Sequence, residues 1–361
     1  MQESEYFKMF GPIEACVVVG DLLWCSAYDF NLFFSIDLMS NRLQNVSEIP
    51  GEEKNVRRLY GSIVHNDGKL YLIPMAAREL AIYDIRNGNF EKIRFREQDE
   101  EKTMYKSGYK FCGGVVYGSG LLMLSCSYPG FVSLNLEDYS LEYRSEWVKD
   151  LEALSRKREE VYFRSFFTDD NKSVIMPSCC TNYVMQYDIE SGKYLLIETG
   201  DKTFSFSDAV MTGDKLVLSS KTGEELYLFD MGSHEMKTVY ESGNGVPSVC
   251  MLSEDGAVYI IPNKLSHIIT FIDGEITESE FLNDNGSSIV VLKGALWKGA
   301  IYMIPRGSEK MVAFDTARRE FDFVDISFDR SAKSFFLKRI NSSLFFKEGK
   351  ITLDDFISCM W

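Results

Sequence analysis

One pentapeptide recurs along the chain and limits what it can fold into. Leu70-Tyr71-Leu72-Ile73-Pro74, Val258-Tyr259-Ile260-Ile261-Pro262 and Ile301-Tyr302-Met303-Ile304-Pro305 share a single pattern, and Val174-Ile175-Met176-Pro177 is a close variant. Ten or eleven residues after each Pro an apolar run ends in Asp, at Asp84, Asp188, Asp273 and Asp315. Two further runs keep that ending without the Pro, at Asp37 and Asp230, and a seventh closes on Asn135. β-Branched and aromatic runs at even spacing specify strands rather than helices.

The connections are chemically explicit. Gly20-Asp21, Asn66-Asp67-Gly68, Gly118-Ser119-Gly120, Gly213-Asp214 and Asp255-Gly256 mark one hairpin of each unit, and Asn87-Gly88, Ser191-Gly192 and Asp273-Gly274 mark another. Such residues tolerate the positive φ that tight hairpins demand. Each unit therefore reads strand, turn, strand, loop, strand ending in Asp, turn, strand, with a period of about 40–50 residues.

First strands are expected near Cys16, Gly61, Phe111, Val161, Phe206, Ser248, Ser288 and Ser334, which makes eight units. The fold expected is all-β, one closed β-propeller domain over residues 1–361. Its closing blade would come from residues 334–357 with an N-terminal strand from residues 5–10, because an open ring leaves two strand edges free to pair with other molecules. In the alternative, Thr352 and Asp355 cap a terminal helix and the count is seven.

On this strand pattern the chain resembles the broad kelch and WD-repeat type of β-propeller over its whole length. It departs from both: Ile-Pro stands where the kelch glycine pair would be, and no unit ends in Trp-Asp. It is also similar in outline to uncharacterised bacterial propellers, a resemblance that implies no particular activity and transfers no catalytic residue. Two connections break the repeat. Residues 146–160 place Trp147, Leu151 and Leu154 at helical spacing, so one amphipathic helix is expected there, covering the rim or meeting a partner. Residues 96–110 form a long polar connection with the length of a flap.

A net charge of −15 opposes phosphate-backbone binding, so nucleic acid is not an expected partner. The N-terminal residues lack the basic-then-apolar order of a secretory leader, and no apolar run approaches the roughly 18 residues of a membrane span. The eight cysteines have neither CxxC nor Cys/His metal spacing and read as reduced, buried side chains in a cytoplasmic compartment. Across the Gly20-Asp21 turn Cys16 should face Cys25, and Cys112 should face Cys126 across residues 118–120. Cys179-Cys180 is a vicinal pair, but no Lys, Arg or His within four residues would lower a thiol pKa.

The three histidines, His65, His234 and His267, fall in different units and on different loop levels, which excludes a three-histidine metal site. Neither a metal nor a cofactor is expected. The repeating Asp residues end third strands beside turns, where a carboxylate accepts backbone N–H groups, and are read as a fold device. No GxSxG, HExxH or P-loop context occurs.

Sidedness carries the functional expectation. In an antiparallel four-stranded unit, the chain entering the first strand and the second-to-third loop emerge on one face. Arg57, Arg58, Lys110, Arg164, Arg306 and Lys333 collect there, accompanied by Tyr60, Tyr109 and Phe206, with His267 within reach. The opposite hairpins collect Asp21, Asp67, Asp169, Asp170, Asp214 and Asp255. Arginine and aromatic side chains at one mouth of an acidic protein suit a small phosphorylated or carboxylated ligand, or a protein partner. The function expected is therefore non-catalytic binding. The alternative is a lyase, hydrolase or isomerase acting on a sugar or peptide derivative at the same mouth.

Overall fold

The computed structural model describes residues 7, 10–54, 56–95, 108–155, 161–168, 170–221, 225–242, 248–281 and 289–340. These form seven successive antiparallel sheets, here blades 1 to 7, each running strand to neighbouring strand in chain order. Blade 1 is Ile13–Val19, Leu22–Ala27, Phe33–Asp37 and Arg42–Ser47; blade 2 is Tyr60–Asn66, Lys69–Pro74, Glu79–Asp84 and Phe90–Arg94. Blade 3 is Phe111–Tyr117, Gly120–Ser125, Phe131–Asn135 and Leu141–Arg144, and blade 5 is Phe206–Thr212, Lys215–Ser220, Glu225–Asp230 and Met236–Glu241. Blade 6 is Ser248–Glu254, Ala257–Pro262, His267–Ile272 and Glu275–Glu280; blade 7 is Gly294–Trp297, Ala300–Met303, Met311–Asp315 and Glu320–Val324. Blade 4 keeps three strands, Ser173–Pro177, Tyr183–Asp188 and Tyr194–Glu198, its first strand reduced to the bridges Phe163 to Ser178 and Phe167 to Ile175.

The expected Asp device is present. Carboxylates of Asp37, Asp84, Asp230 and Asp315 each accept two backbone N–H groups from the following turn, and Asp188 accepts that of Ser191. Asp273 differs: it occupies the turn itself at φ 50°.

Contacts divide the chain into two compact units, Met1–Arg57 with Lys293–Trp361, and Arg58–Leu292. In the larger unit, apolar faces of neighbouring blades close on one another. Ile73, Ile82, Leu121 and Val132 fill the space between blades 2 and 3; Leu218, Phe229, Val184 and Ile197 fill that between blades 4 and 5. Between blades 3 and 4 the core is extended by α1 (Glu146–Leu154), which inserts Trp147 and Leu151 against Phe131, Tyr162 and Phe163. Leu154 points outward, 39% exposed. Residues 156–160 of the expected helix and residues 96–107 of the expected flap lie outside the described residues.

The smaller unit brings the first and last blades together: Trp297 Nε1 donates to the Gly20 carbonyl at 3.2 Å, and Lys298 pairs with Asp21 at 3.1 Å. Here the blade count departs from eight. Ser334–Ile340, expected as a first strand, belongs to α2 (Arg330–Ile340). Asp329 caps it, its Oδ1 accepting the Ala332 N–H at 2.7 Å, and the eleven helical residues contain neither Gly nor Pro. Of residues 5–10, expected as the N-terminal closing strand, only Phe7 and Phe10 are among the described residues: Phe7 is helical, Phe10 N–H donates to its carbonyl at 3.0 Å, and both rings are buried. Instead Ser327–Phe328 adds in parallel to the outer strand of blade 1, beside Arg42 and Leu43. Residues 341–357 of the expected closing blade lie outside the described residues. Blade 7 starts at Gly294 rather than Ser288 because Ile289–Val290 pairs with Lys264–Leu265 as a separate ribbon.

Candidate functional site

In the larger unit, the face formed by strand entries and second-to-third loops is stitched by backbone hydrogen bonds. Within blades, Met75 N–H donates to Leu59, Cys126 to Lys110, Cys179 to Tyr162 and Lys221 to Ser205, all at 2.8–2.9 Å. Between blades, Lys110 N–H donates to Met75, Tyr162 to Cys126 and Phe206 to Ser178, at 2.7–2.9 Å. The result is an alternating belt from blade 2 to blade 5. Loops whose backbone groups are satisfied in this way hold side chains in place before any ligand arrives.

A register shift near the start of the first strand recurs in blades 1, 2, 3, 5 and 6, skipping Glu14, Gly61, Cys112, Ser207 and Val249. A bulge re-aims the residues beside it. In blade 3 it also removes the expected facing of Cys112 and Cys126: Phe111 opposes Ser125 and Gly113 opposes Leu124. In blade 1 the shift falls earlier, at Glu14, and Cys16 opposes Cys25 as expected. The seven described cysteines are free.

Arg58 and Tyr109 meet on this face, the guanidinium carbon 5.1 Å from the ring centroid. Arg58 has a left-handed backbone, φ 58°, and its carbonyl accepts the Ala76 N–H at 2.9 Å, so a turn rather than a strand presents the side chain. Arg164 follows the Phe163 bridge in the irregular entry to blade 4 and is exposed, with no hydrogen bond or ion pair to any described residue. Both positive charges act on the Cys126 thiol below them: burial pushes its pKa well up, Cys112 and Cys179 add to that, and Arg164 and Arg58 oppose it.

Lys110 is buried, and its ammonium donates to the Ala77 carbonyl at 3.0 Å, so its charge holds the rim rather than facing solvent. Tyr60 and Phe206 are fully buried at the starts of their strands and serve the core. Cys179 and Cys180 are buried in a turn where Ser178 Oγ accepts the N–H groups of Cys180 and Thr181 at 3.2 and 3.1 Å. His267 starts the third strand of blade 6, opposite Glu280, with Nδ1 2.9 Å from Ser266 Oγ.

In the smaller unit, Asp29 holds two expected site residues at once. Arg57 Nε lies 3.2 Å from Oδ1 and Arg306 Nη2 3.2 Å from Oδ2, while the Arg306 guanidinium sits 5.3 Å from the Tyr28 ring centroid. Lys333 is exposed on α2. Asp29 and Tyr28 were not expected at the site, although both follow the second strand of blade 1 and so fall on the face where the basic residues were sorted.

No known protein-family profile matches the chain. No curated protein matches it in sequence. Solved structures do. A streptogramin B lyase is 12% identical over 87% of this chain and 94% of its own, with a TM-score of 0.64. A virginiamycin B lyase from Staphylococcus aureus, a catalytically inactive form with quinupristin, is 9% identical over 83% and 93%, at 0.63. The β-propeller domain of Cps50 (Swd1) from Myceliophteria thermophila is 10% identical over 84% and 96%, at 0.58. At these identities the likeness is one of fold: this chain has the all-β, seven-bladed propeller fold of four-stranded antiparallel blades. Among the described residues no helix is long and apolar enough to cross a membrane.

Proposed function

We propose that the chain is a non-catalytic binding propeller of a reducing, cytoplasmic compartment, and that the strand-entry face of its larger unit takes a small phosphorylated or carboxylated ligand on Arg58, Tyr109 and Arg164. The observation that carries this reading is Arg164, an exposed guanidinium with no ion-pair partner among the described residues, on the same preformed rim as an arginine laid on a tyrosine ring. A guanidinium fork matches the geometry of phosphate and carboxylate oxygens, and a fixed rim lowers the ordering cost of binding. Arg57 and Arg306, in the smaller unit, are not part of this site, and Asp29 already neutralises part of their charge. The free thiols support the reducing compartment.

Thermal-shift measurements against sugar phosphates, nucleotide sugars and uronic acids test this. A ligand at a hundred times its Kd should add about 2.7 kcal/mol of stability. The shift should appear for one anionic class and vanish in Arg164→Ala. A shift of equal size in wild type and Arg164→Ala, or none across the panel, would reject the reading.

A further inference from the structure

The helix inserted after blade 3 builds a niche as well as a core contact. The first turn of α1 and the end of the outer strand close around the Tyr128-Pro129-Gly130 loop and leave a cavity of about 270 Å³. That is just under the roughly 300–1,000 Å³ of drug-sized sites and suits one ring with a short arm. Its wall is apolar. Tyr128, Phe131 and Val148 are buried, the Tyr128 and Tyr143 ring centroids lie 6.4 Å apart, and Phe131 is backed by the Trp147 ring at 4.8 Å. Gly130 permits the close approach of loop and helix: at φ 145°, its Cβ would stand 2.8 Å from the Arg144 carbonyl oxygen and 3.2 Å from Ser145 Cβ.

The charge around this wall has one sign. In a chain of net charge −15, no described residue lining the cavity is acidic, whereas Arg144 and Lys149 both line it. Arg144 is already committed: Nη1 donates to the Ile189 carbonyl at 2.6 Å, Nη2 donates to Glu142 at 3.1 Å, and the guanidinium serves the Tyr187 hydroxyl as well. Lys149 is not. It is exposed and makes no hydrogen bond or ion pair with any described residue. Ser145, the N-cap of α1, makes no side-chain cap bond, which leaves its hydroxyl to the cavity at the positive end of the helix.

We infer that this niche is a second binding site and that it takes a small aromatic carboxylate, its ring against Tyr128, Tyr143 and Val148 and its carboxylate on the Lys149 ammonium and the Ser145 hydroxyl. An aliphatic acid leaves the aromatic wall unfilled. An aromatic amine meets Lys149 with like charge. The site uses neither Arg58 nor Arg164, so it stands or falls apart from the function proposed above.

Ligand-observed NMR titration of the full chain with 3-phenylpropionate tests the site, beside 2-phenylethylamine, which has the ring and the opposite charge, and propionate, which has the charge alone. Saturable binding of 3-phenylpropionate is expected, about tenfold or more tighter than either comparison compound. Lys149→Gln should weaken it about fivefold, while Arg164→Ala at the mouth and Lys237→Gln, exposed on the outer strand of blade 5, should leave Kd within about twofold of wild type. Val148→Phe fills the niche with the protein's own ring and should abolish binding. No saturable binding, equal affinity for the three compounds, or a loss in Arg164→Ala or Lys237→Gln as large as that in Lys149→Gln overturns the inference. Should Val148→Phe fail to fold, Lys149→Gln against Lys237→Gln decides alone, with an unchanged Kd in Lys149→Gln counting against the site.

Discussion

The Arg58 guanidinium lies 5.1 Å from the centroid of the Tyr109 ring, so a residue preceding blade 2 rests on one preceding blade 3. The contact orients a charge that would otherwise sweep a wide volume.

Because Arg58 sits at φ 58°, Arg58→Gly removes the charge while keeping a backbone that glycine adopts freely. Thermal stability should stay within about 0.5 kcal/mol of wild type, while the stabilisation by an anionic ligand should fall. A variant that keeps the full ligand shift would place the anion elsewhere. Tyr109→Leu should give an intermediate loss, since the charge remains and only its orientation is relaxed.

The helix inserted after blade 3 divides into a half that matters to stability and a half that does not. Trp147 is fully buried against Phe131, Tyr162 and Phe163, so Trp147→Ala should cost about 3–5 kcal/mol. Leu154→Ala, at a position 39% exposed, should change stability by less than about 0.5 kcal/mol. Denaturant unfolding of the two variants measures the difference. Similar costs would mean that the helix is not anchored as the rings indicate.

Stability should fall in acid through the turn carboxylates. Backbone N–H groups of Ser233 and Gly232 hold Asp230 below its ordinary pKa, and the Arg318 N–H and guanidinium hold Asp315 below it. A carboxyl depressed in the folded state contributes stability above its unfolded pKa of about 3.9, and that contribution is lost as pH falls through the lower folded value. Asp230→Asn with Asp315→Asn should therefore flatten the decline in Tm between about pH 4 and pH 2. An unchanged slope would assign acid sensitivity to other groups.

Burial raises the pKa of Cys25 and of Cys126 well above that of a free thiol, and both are enclosed. At pH 8 the peptides carrying them should resist alkylation until denaturant is added. Rapid native labelling of Cys126, detected by peptide mapping, would show that the rim between blades 3 and 4 opens.

What could be read from sequence was whatever the backbone imposes locally and repeats. The Leu70 to Pro74 strand and the Asp84 turn each announce themselves, because a short apolar run and a capping carboxylate are properties of neighbouring residues. The face on which Arg58 and Arg164 lie follows from the order of antiparallel strands. The failures came where a local signal had a rival. Ser334 to Ile340 has apolar residues that suit a strand, yet the Asp329 cap starts a helix. Partnerships across long sequence distances were not legible either: nothing near Arg306 announces that Asp29, 277 residues away, will accept its charge. Nor was the bulge at Cys112 legible: the same one-residue shift recurs in the first strands of blades 1, 2, 5 and 6 without a shared residue type at the skipped position.

The last test joins packing to the candidate site. A Cβ on Gly113 would stand 2.2 Å from Cε1 of Phe166, the ring that the irregular entry to blade 4 lays across the first strand of blade 3. Gly113→Ala must push that ring away. Overpacking of this kind costs about 1–3 kcal/mol. Phe166 is two residues from Arg164, on a segment whose strand pairing among the described residues is limited to isolated bridges at Phe163 and Phe167, so its displacement should move the guanidinium as well. Gly113→Ala should therefore lower both Tm and the affinity for the anionic ligand, and Gly113→Ala with Phe166→Leu, which vacates the space, should recover both. Recovery of stability without recovery of affinity would separate the packing of blade 4 from the position of Arg164 and weaken the case that this segment builds the site.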